Sequence, residues 1–210
     1  GTTLAGAPGP ADLGTTGTIT LTASNGESPD AVQTFTIDVN RIWTPVYPSP
    51  TGNGLNAVWG SAPDNVYFVG YAATILRYDG ANYVPVPLDI SLMGLPFFGI
   101  WGSSASDIFV VGSEGTILHY DGNAWTPMPN PAGTTILRGI WGSAPNNVYA
   151  VGDNATMLRY DGTSWTSVSV SAIGHLRGIW GSAANNVYAV GDNGALLHYD
   201  GSGWTQLFSL

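Results

Sequence analysis

The chain has 210 residues, enough to bury a sizeable core in one large or two small domains. Only 9% of them are charged, lysine is absent, and five arginines stand against fourteen acids; the resulting net charge of −9 disfavours nucleic acid and anionic membrane surfaces as partners. With no cysteine there is no disulfide, thiolate metal site or cysteine nucleophile, and 29 glycines with 14 prolines interrupt the chain too often for long helices.

In chain order, residues 1–40 come first. The stretch GTITLTASNGESPDAVQTFTIDVN contains two alternating runs, Ile19/Leu21/Ala23 and Phe35/Ile37/Val39, joined by a Gly/Ser/Pro/Asp-rich region, and predicts a β-hairpin. Together with the preceding GTTLAGAPGPADLG it resembles the C-terminal half of the immunoglobulin-like domains that bacterial surface proteins carry in tandem. Half a sandwich leaves an unpaired edge and an uncovered apolar face, so this segment is expected to recruit strands from elsewhere, and the chain reads as part of a longer protein.

Residues 41–210 are repetitive. After an IWTPV motif around Trp43, four units occupy residues 54–90, 96–130, 137–170 and 176–210. Their Trp-Gly tryptophans, Trp59, Trp101, Trp141 and Trp180, recur about every 40 residues, a period shared by solenoids and propellers. Within each unit, runs such as GIWG, NVYAVG, ATMLRY and WTSV read as four short strands, which selects the propeller blade. Asp-Gly pairs at Asp79, Asp121, Asp161 and Asp200 predict two-residue hairpins, and Asn65, Asp107, Asn147 and Asn186 predict turns before the second strand. Strands apolar on both sides imply blades packed face to face, with the Trp-Gly tryptophans in the core and the outer-strand aromatics Tyr83, Trp125, Trp165 and Trp204 packed as well. The IWTPV strand is left with two readings, a strand that closes the ring or the last strand of a further blade.

The unit WGSAPNNVYAVGDNATMLRYDGTSWT resembles the repeats of bacterial secreted β-propellers and, more distantly, Asp-box and photosystem-assembly-factor blades. The Asp-box has an extra residue between its aspartate and glycine, whereas here the two adjoin, so the resemblance implies the fold and no sialidase chemistry. The expectation is an all-β chain: a β-propeller of four-stranded blades, preceded by a partial immunoglobulin-like hairpin.

No catalytic residue, metal site or cofactor is expected. His119 and His198 share the register of Arg77 and Arg159 and read as structural, and the GDN runs at Asp153 and Asp192 read as hairpin turns. A binding face is suggested by spacing. The interval from each Trp-Gly tryptophan to its outer aromatic is constant at 24 residues, while the interval to the next tryptophan varies between 15 and 18. Length variation is thus confined to the blade-to-blade connectors VYPSPTGNG, PLDISLMGLP, PNPAGTTI and SVSAIGH, on one face of the ring, where loops on a rigid scaffold carry function. Leu92, Met93, Phe97, Arg138, His175 and Arg177 are the candidate ligand-binding residues, for a glycan or a surface protein. The expected role is a non-catalytic, secreted or cell-surface adhesion module of bacterial origin. A fibre or sheath subunit self-assembled through its unpaired N-terminal strands is the alternative, and a glycan-cleaving enzyme ranks last.

Overall fold

The computed structural model describes residues 15–23 and 31–39 by their backbone, and residues 49–171 and 174–207 with side chains other than that of Ile90. The chain divides into two compact units, Gly1–Ser49 and Pro50–Leu210. In the first, β1 (Thr15–Ala23) and β2 (Ala31–Val39) pair antiparallel from Thr15 opposite Val39 to Ala23 opposite Ala31, the expected hairpin. The rest of the immunoglobulin-like segment and the strand around Trp43 lie outside the described residues.

The second unit is four antiparallel four-stranded sheets. Blade 1 comprises β3 (Leu55–Ala62), β4 (Asn65–Gly70), β5 (Ile75–Tyr78) and β6 (Tyr83–Pro85). Blade 2 comprises β7 (Phe97–Ser104), β8 (Asp107–Gly112), β9 (Ile117–Tyr120) and β10 (Trp125–Pro127). Blade 3 comprises β11 (Leu137–Ala144), β12 (Asn147–Gly152), β13 (Met157–Tyr160) and β14 (Trp165–Ser167). Blade 4 comprises β15 (Leu176–Ala183), β16 (Asn186–Gly191), β17 (Leu196–Tyr199) and β18 (Trp204–Gln206). Each blade takes its four strands consecutively from the sequence, so none of the four borrows a strand to be complete.

The core lies between blades, because successive residues of each second strand point to opposite faces. In β8, Ile108 and Val110 join Tyr67, Val69 and Phe97 in the core shared by blades 1 and 2. Phe109 and Val111 instead join Leu137, Ile140 and Ala150 between blades 2 and 3. Tyr149 and Val151 meet Leu176, Ala189 and Leu197 between blades 3 and 4. Burying each such side chain is worth roughly 1.5–3 kcal/mol. The second-strand aromatics also meet the next blade's outer tryptophan edge to face: Tyr67 with Trp125 at 6.0 Å, Phe109 with Trp165 at 6.1 Å and Tyr149 with Trp204 at 5.7 Å between centroids. This places the outer tryptophans in the inter-blade packing.

The Trp-Gly motif is a knob and a hole belonging to two different interfaces. The Trp59 ring covers Gly102, Trp101 covers Gly142 and Trp141 covers Gly181, so closely that a Cβ on any of these glycines would stand only 2.6–2.7 Å from the ring. The expectation that all four tryptophans are core is corrected here. Trp59, Trp101 and Trp141 are half-buried, and Trp180, which covers no glycine of another blade among the described residues, is 60% exposed.

Two turn assignments are also corrected. The Asp-Gly loops have four residues rather than two, since Tyr78 pairs with Tyr83 and Tyr160 with Trp165. Each aspartate accepts amide hydrogens from the residues two and three positions on, while only the glycine takes a positive φ of 92–98°. The two-residue loops lie instead between first and second strands, as in Ala144 opposite Asn147. Asn65, Asp107, Asn147 and Asn186, read above as turn residues, open the second strand and bridge two other side chains, as described below.

Candidate functional site on the connector face

In each blade, the turn between second and third strands emerges on the same face as the connector to the next blade. Backbone bonds fasten the two together: Ala73 donates to Leu95 O (2.8 Å), Gly115 to Thr135 O (3.0 Å) and Ala155 to Gly174 O (2.6 Å). The connectors vary in length but are pinned at their ends.

The candidate residues divide into anchors and exposed groups. In the connector PLDISLMGLP a single 3-10 turn (Ile90–Leu92) places Leu92 in the core between blades 1 and 2. Phe97 is the first residue of β7 and is completely buried, so it anchors the connector and offers no surface to a ligand. Between them Met93 stands 73% exposed. Next to Phe97, the half-buried Phe98 makes an edge-on contact with the exposed Tyr71 of blade 1, 6.5 Å between centroids. The Arg138 guanidinium lies 5.6 Å over the Phe98 ring.

Arg138 and Arg177 are not free cations. Arg138 donates two bonds to Asp153, one of them Nη2 to Oδ2 at 2.9 Å, and Arg177 donates to both Asp192 oxygens at 2.9 and 2.8 Å. The bonds from Arg138 hold the Asp153 carboxyl below the usual carboxylate range, and those from Arg177 do the same for Asp192. His175 Nδ1 lies 3.1 Å from the Asn154 amide nitrogen and 3.2 Å from Asp153 Oδ1. Arg138, His175 and Arg177 thus come together with Asp153 and Asp192 in one cluster spanning blades 3 and 4. The two aspartates are the partners that sequence reasoning missed. Their signal was the fifteen-residue interval from Arg to the Asp of GDN, which only blades 3 and 4 carry; blades 1 and 2 have Asn56 with Tyr71 and Phe98 with Ser113 at these positions.

The opposite face is built differently. In every blade the residue opening the second strand joins a serine of the first strand to the Arg or His of the third: Asn65 bonds Ser61 and Arg77, Asn147 bonds Ser143 and Arg159, and Asn186 bonds Ser182 and His198. In blade 2, Ser103 donates to one Asp107 oxygen and His119 lies 2.7 Å from the other. The carboxylate stands between serine and imidazole, so the imidazole does not adjoin the hydroxyl as it does in a Ser-His pair. His119 and His198 also stack on Phe109 and Tyr188 at 4.4 Å, where Arg77 and Arg159 lie over Tyr67 and Tyr149, so all four brace their own blade. A concavity of about 520 Å³ lies apart from the connector cluster, between blades 1 and 2, and is lined by residues including Tyr67, Arg77, Leu88, Tyr120 and Trp125. Arg77, its cationic group, is committed to Asn65. Among the described residues no group of three or more His, Asp or Glu is placed to hold a metal ion, and no helix is long and apolar enough to cross a membrane.

Compared with known proteins, the chain matches no protein-family model and no curated protein. Solved structures do match, and they define the class as a β-propeller. YCF48 bound to D1 peptide superposes with a TM-score of 0.61 at 19% identity, over 76% of this chain and 55% of that one. YCF48 from Cyanidioschyzon merolae gives 0.60 at 17% identity, over 76% and 57%. The WD40 β-propeller domain of Doa1 gives 0.53 at 9% identity, over 85% and 57%. The chain spans just over half the length of these structures, and at such identities the likeness is one of fold.

Proposed function

We propose that this chain is a non-catalytic binding module that takes a protein partner on its connector face. The observation that carries the reading is Met93. A large apolar side chain stands almost free in water on a connector whose neighbours, Leu92 and Phe97, are buried and hold it in place. Tyr71 and Phe98 extend the apolar patch, and the paired Arg138, Arg177 and His175 give the same face a polar border. A partner segment suited to it carries an apolar side chain for Met93 and Tyr71 and, further along, a carboxylate that shares the outer edge of Arg177. One of the similar propellers is a complex with a peptide, which favours protein over glycan as the partner class. A secreted or cell-surface setting in a bacterium, with adhesion as the role, belongs to the same proposal and rests on the sequence resemblances.

Panning a displayed random-peptide library should enrich sequences with an apolar residue and, several residues away, Asp or Glu. Combining Met93→Ser with Arg177→Gln should weaken the selected peptides about tenfold or more, a loss of about 1.4 kcal/mol, with thermal stability little changed. A glycan array run alongside separates sugar from protein recognition. The proposal fails if the selected ligands ignore both changes and are lost instead on altering Asp121 or Asn147 on the opposite face.

A further inference from the structure

The concavity of about 520 Å³ between blades 1 and 2 is of the size that holds small molecules, roughly 300–1,000 Å³. One side is built by blade 1 and the connector PLDISLMGLP, the longest of the four, and the other by the outer hairpin of blade 2. Val84, Val86 and Leu88 make the first side apolar, and Tyr120 and Trp125, stacked 5.2 Å apart, make the second aromatic. Tyr67 also lines the concavity although it is only 3% exposed, and its hydroxyl has no hydrogen-bond partner among the described residues. Nor is that hydroxyl sealed in protein, as the Trp165 indole nitrogen is; the concavity is where it reaches water. Blade 2 has Phe109 in this register, so blade packing requires the ring and not the hydroxyl.

The same concavity holds unpaired charges of both signs. Arg77 donates Nε to Asn65 at 2.8 Å, which leaves its two terminal nitrogens, and Asp79 accepts the amides of Ala81 and Asn82 on Oδ1. Arg77, Asp79 and Asp89 all line the concavity, and none of them forms an ion pair among the described residues. The Asn82 and Ala81 amides hold the Asp79 carboxyl below its usual value and the nearby Arg77 charge adds to this, so Asp79 is ionised at neutral pH. A simple anion would meet two carboxylates here and a simple cation would meet the guanidinium, whereas a zwitterion is matched at both ends. We infer that the concavity is a binding site for a free amino acid with an apolar side chain. Its carboxylate takes Arg77 and the Tyr67 hydroxyl, its ammonium takes Asp79, and its side chain lies between Leu88 and Trp125. The other inter-blade grooves lack part of this set. Arg159 and Tyr149 have the same register and open on the groove between blades 3 and 4, but no carboxylate lines it. Between blades 2 and 3, Phe109 and His119 stand in place of Tyr67 and Arg77.

Backbone amide shifts, followed by NMR while L-phenylalanine or L-leucine is added to about 10 mM, test the inference, since that concentration largely fills a site of millimolar affinity. Saturable shifts are expected around Leu88, Asn123 and Trp125, and none around Asn147 and Asn185 in the groove between blades 3 and 4. 3-Phenylpropionate, which lacks the ammonium, and 2-phenylethylamine, which lacks the carboxylate, should each bind at least about tenfold more weakly than L-phenylalanine. Tyr67→Phe and Asp79→Asn should each weaken the amino acid about tenfold, and Arg77→Gln, whose amide still reaches for Asn65, should abolish binding. Tyr67→Phe copies the residue that blade 2 already carries, so its melting curve should match that of the wild type and its binding loss reads the hydroxyl alone. Met93→Ser on the connector face should leave amino-acid binding unchanged, which separates this site from the proposed protein-binding one. The inference is overturned by the absence of saturable shifts with both amino acids, by either phenylalanine analogue binding as tightly as L-phenylalanine, or by a folded Tyr67→Phe variant that binds like the wild type.

Discussion

Blades 3 and 4 open with the same eight residues, LRGIWGSA, and both continue with NVYAVG, yet the two copies live in different surroundings. In blade 3 the Trp141 ring lies against Gly181 and Val151 is sealed; in blade 4 Trp180 and Val190 face solvent. Identical sequence with different burial shows that a repeat does not contain its own core. Each blade specifies two half-interfaces, and a neighbour turns them into a hydrophobic interior. Within a single blade, by contrast, strand pairing and the Asn-centred bridge follow the same plan in both copies.

The largest expected effect breaks this symmetry. Trp141→Ala empties the space over Gly181 and should destabilise the protein by about 2–4 kcal/mol, toward the low end for large aromatics because the ring is half-buried. Trp180→Ala should stay within about 1 kcal/mol, as surface substitutions do. Urea unfolding of the two variants under monomeric conditions measures the difference. Equal losses would mean that the open face of blade 4 is covered after all, and the contrast between the blades would collapse.

A smaller pair of changes should restore the symmetry. Asn147 donates Nδ2 to Ser143 at 2.8 Å and accepts Arg159 Nε at 2.9 Å; Asn186 donates to Ser182 at 2.7 Å and lies 2.8 Å from His198 Nε2. Replacing either asparagine by alanine removes two hydrogen bonds, most of them exposed, and should cost about 1 kcal/mol in both blades. Because these bridges lie inside a blade, the two losses should agree within the error of unfolding experiments. A clear excess in blade 3 would show that inter-blade packing also reaches these bridges.

What was legible in the sequence follows the same division. Units expected to begin near residues 54, 96, 137 and 176 correspond to first strands starting at Leu55, Phe97, Leu137 and Leu176, because strand period and turn residues are local properties. The constant interval of 24 residues is the length of one uninterrupted meander. Burial of Trp180 was misjudged because it depends on a residue in another blade. Phe97 read as part of an apolar connector, although its alignment with Leu137 and Leu176 places it in the core. The Arg138–Asp153 pair needed the register of β11 against β12, in which Leu137 stands opposite Gly152 and so brings the next residue of each strand to the same end of the sheet. Met93 stands out in the sequence because nothing in the repeat calls for it, and the structure leaves it exposed.

The smallest effect compares the two loops that follow these blades' third strands. Asp161 accepts the amides of Thr163 and Ser164 at 2.8 and 2.9 Å. Asp200 accepts the amides of Ser202 and Gly203 and, in addition, the Ser202 hydroxyl at 2.7 Å. Both carboxyls are held below the ordinary aspartate value, Asp161 by the Ser164 and Thr163 amides, and Asp200 down to about 2, first through that hydroxyl and then through the amides. A carboxyl whose folded value lies below its unfolded one stabilises the fold above the unfolded value. For Asp200 this contribution is complete above about pH 4 and is lost as the pH falls towards 2, where the folded group takes up its proton. Carboxyl carbon shifts followed by NMR should therefore show Asp200 titrating below Asp161. Ser202→Ala should raise Asp200 toward its counterpart and leave Asp161 unmoved. Should the two aspartates titrate together near the model-peptide value, the loops are looser than their hydrogen bonds require, and the Ser202 hydroxyl makes no difference between the blades.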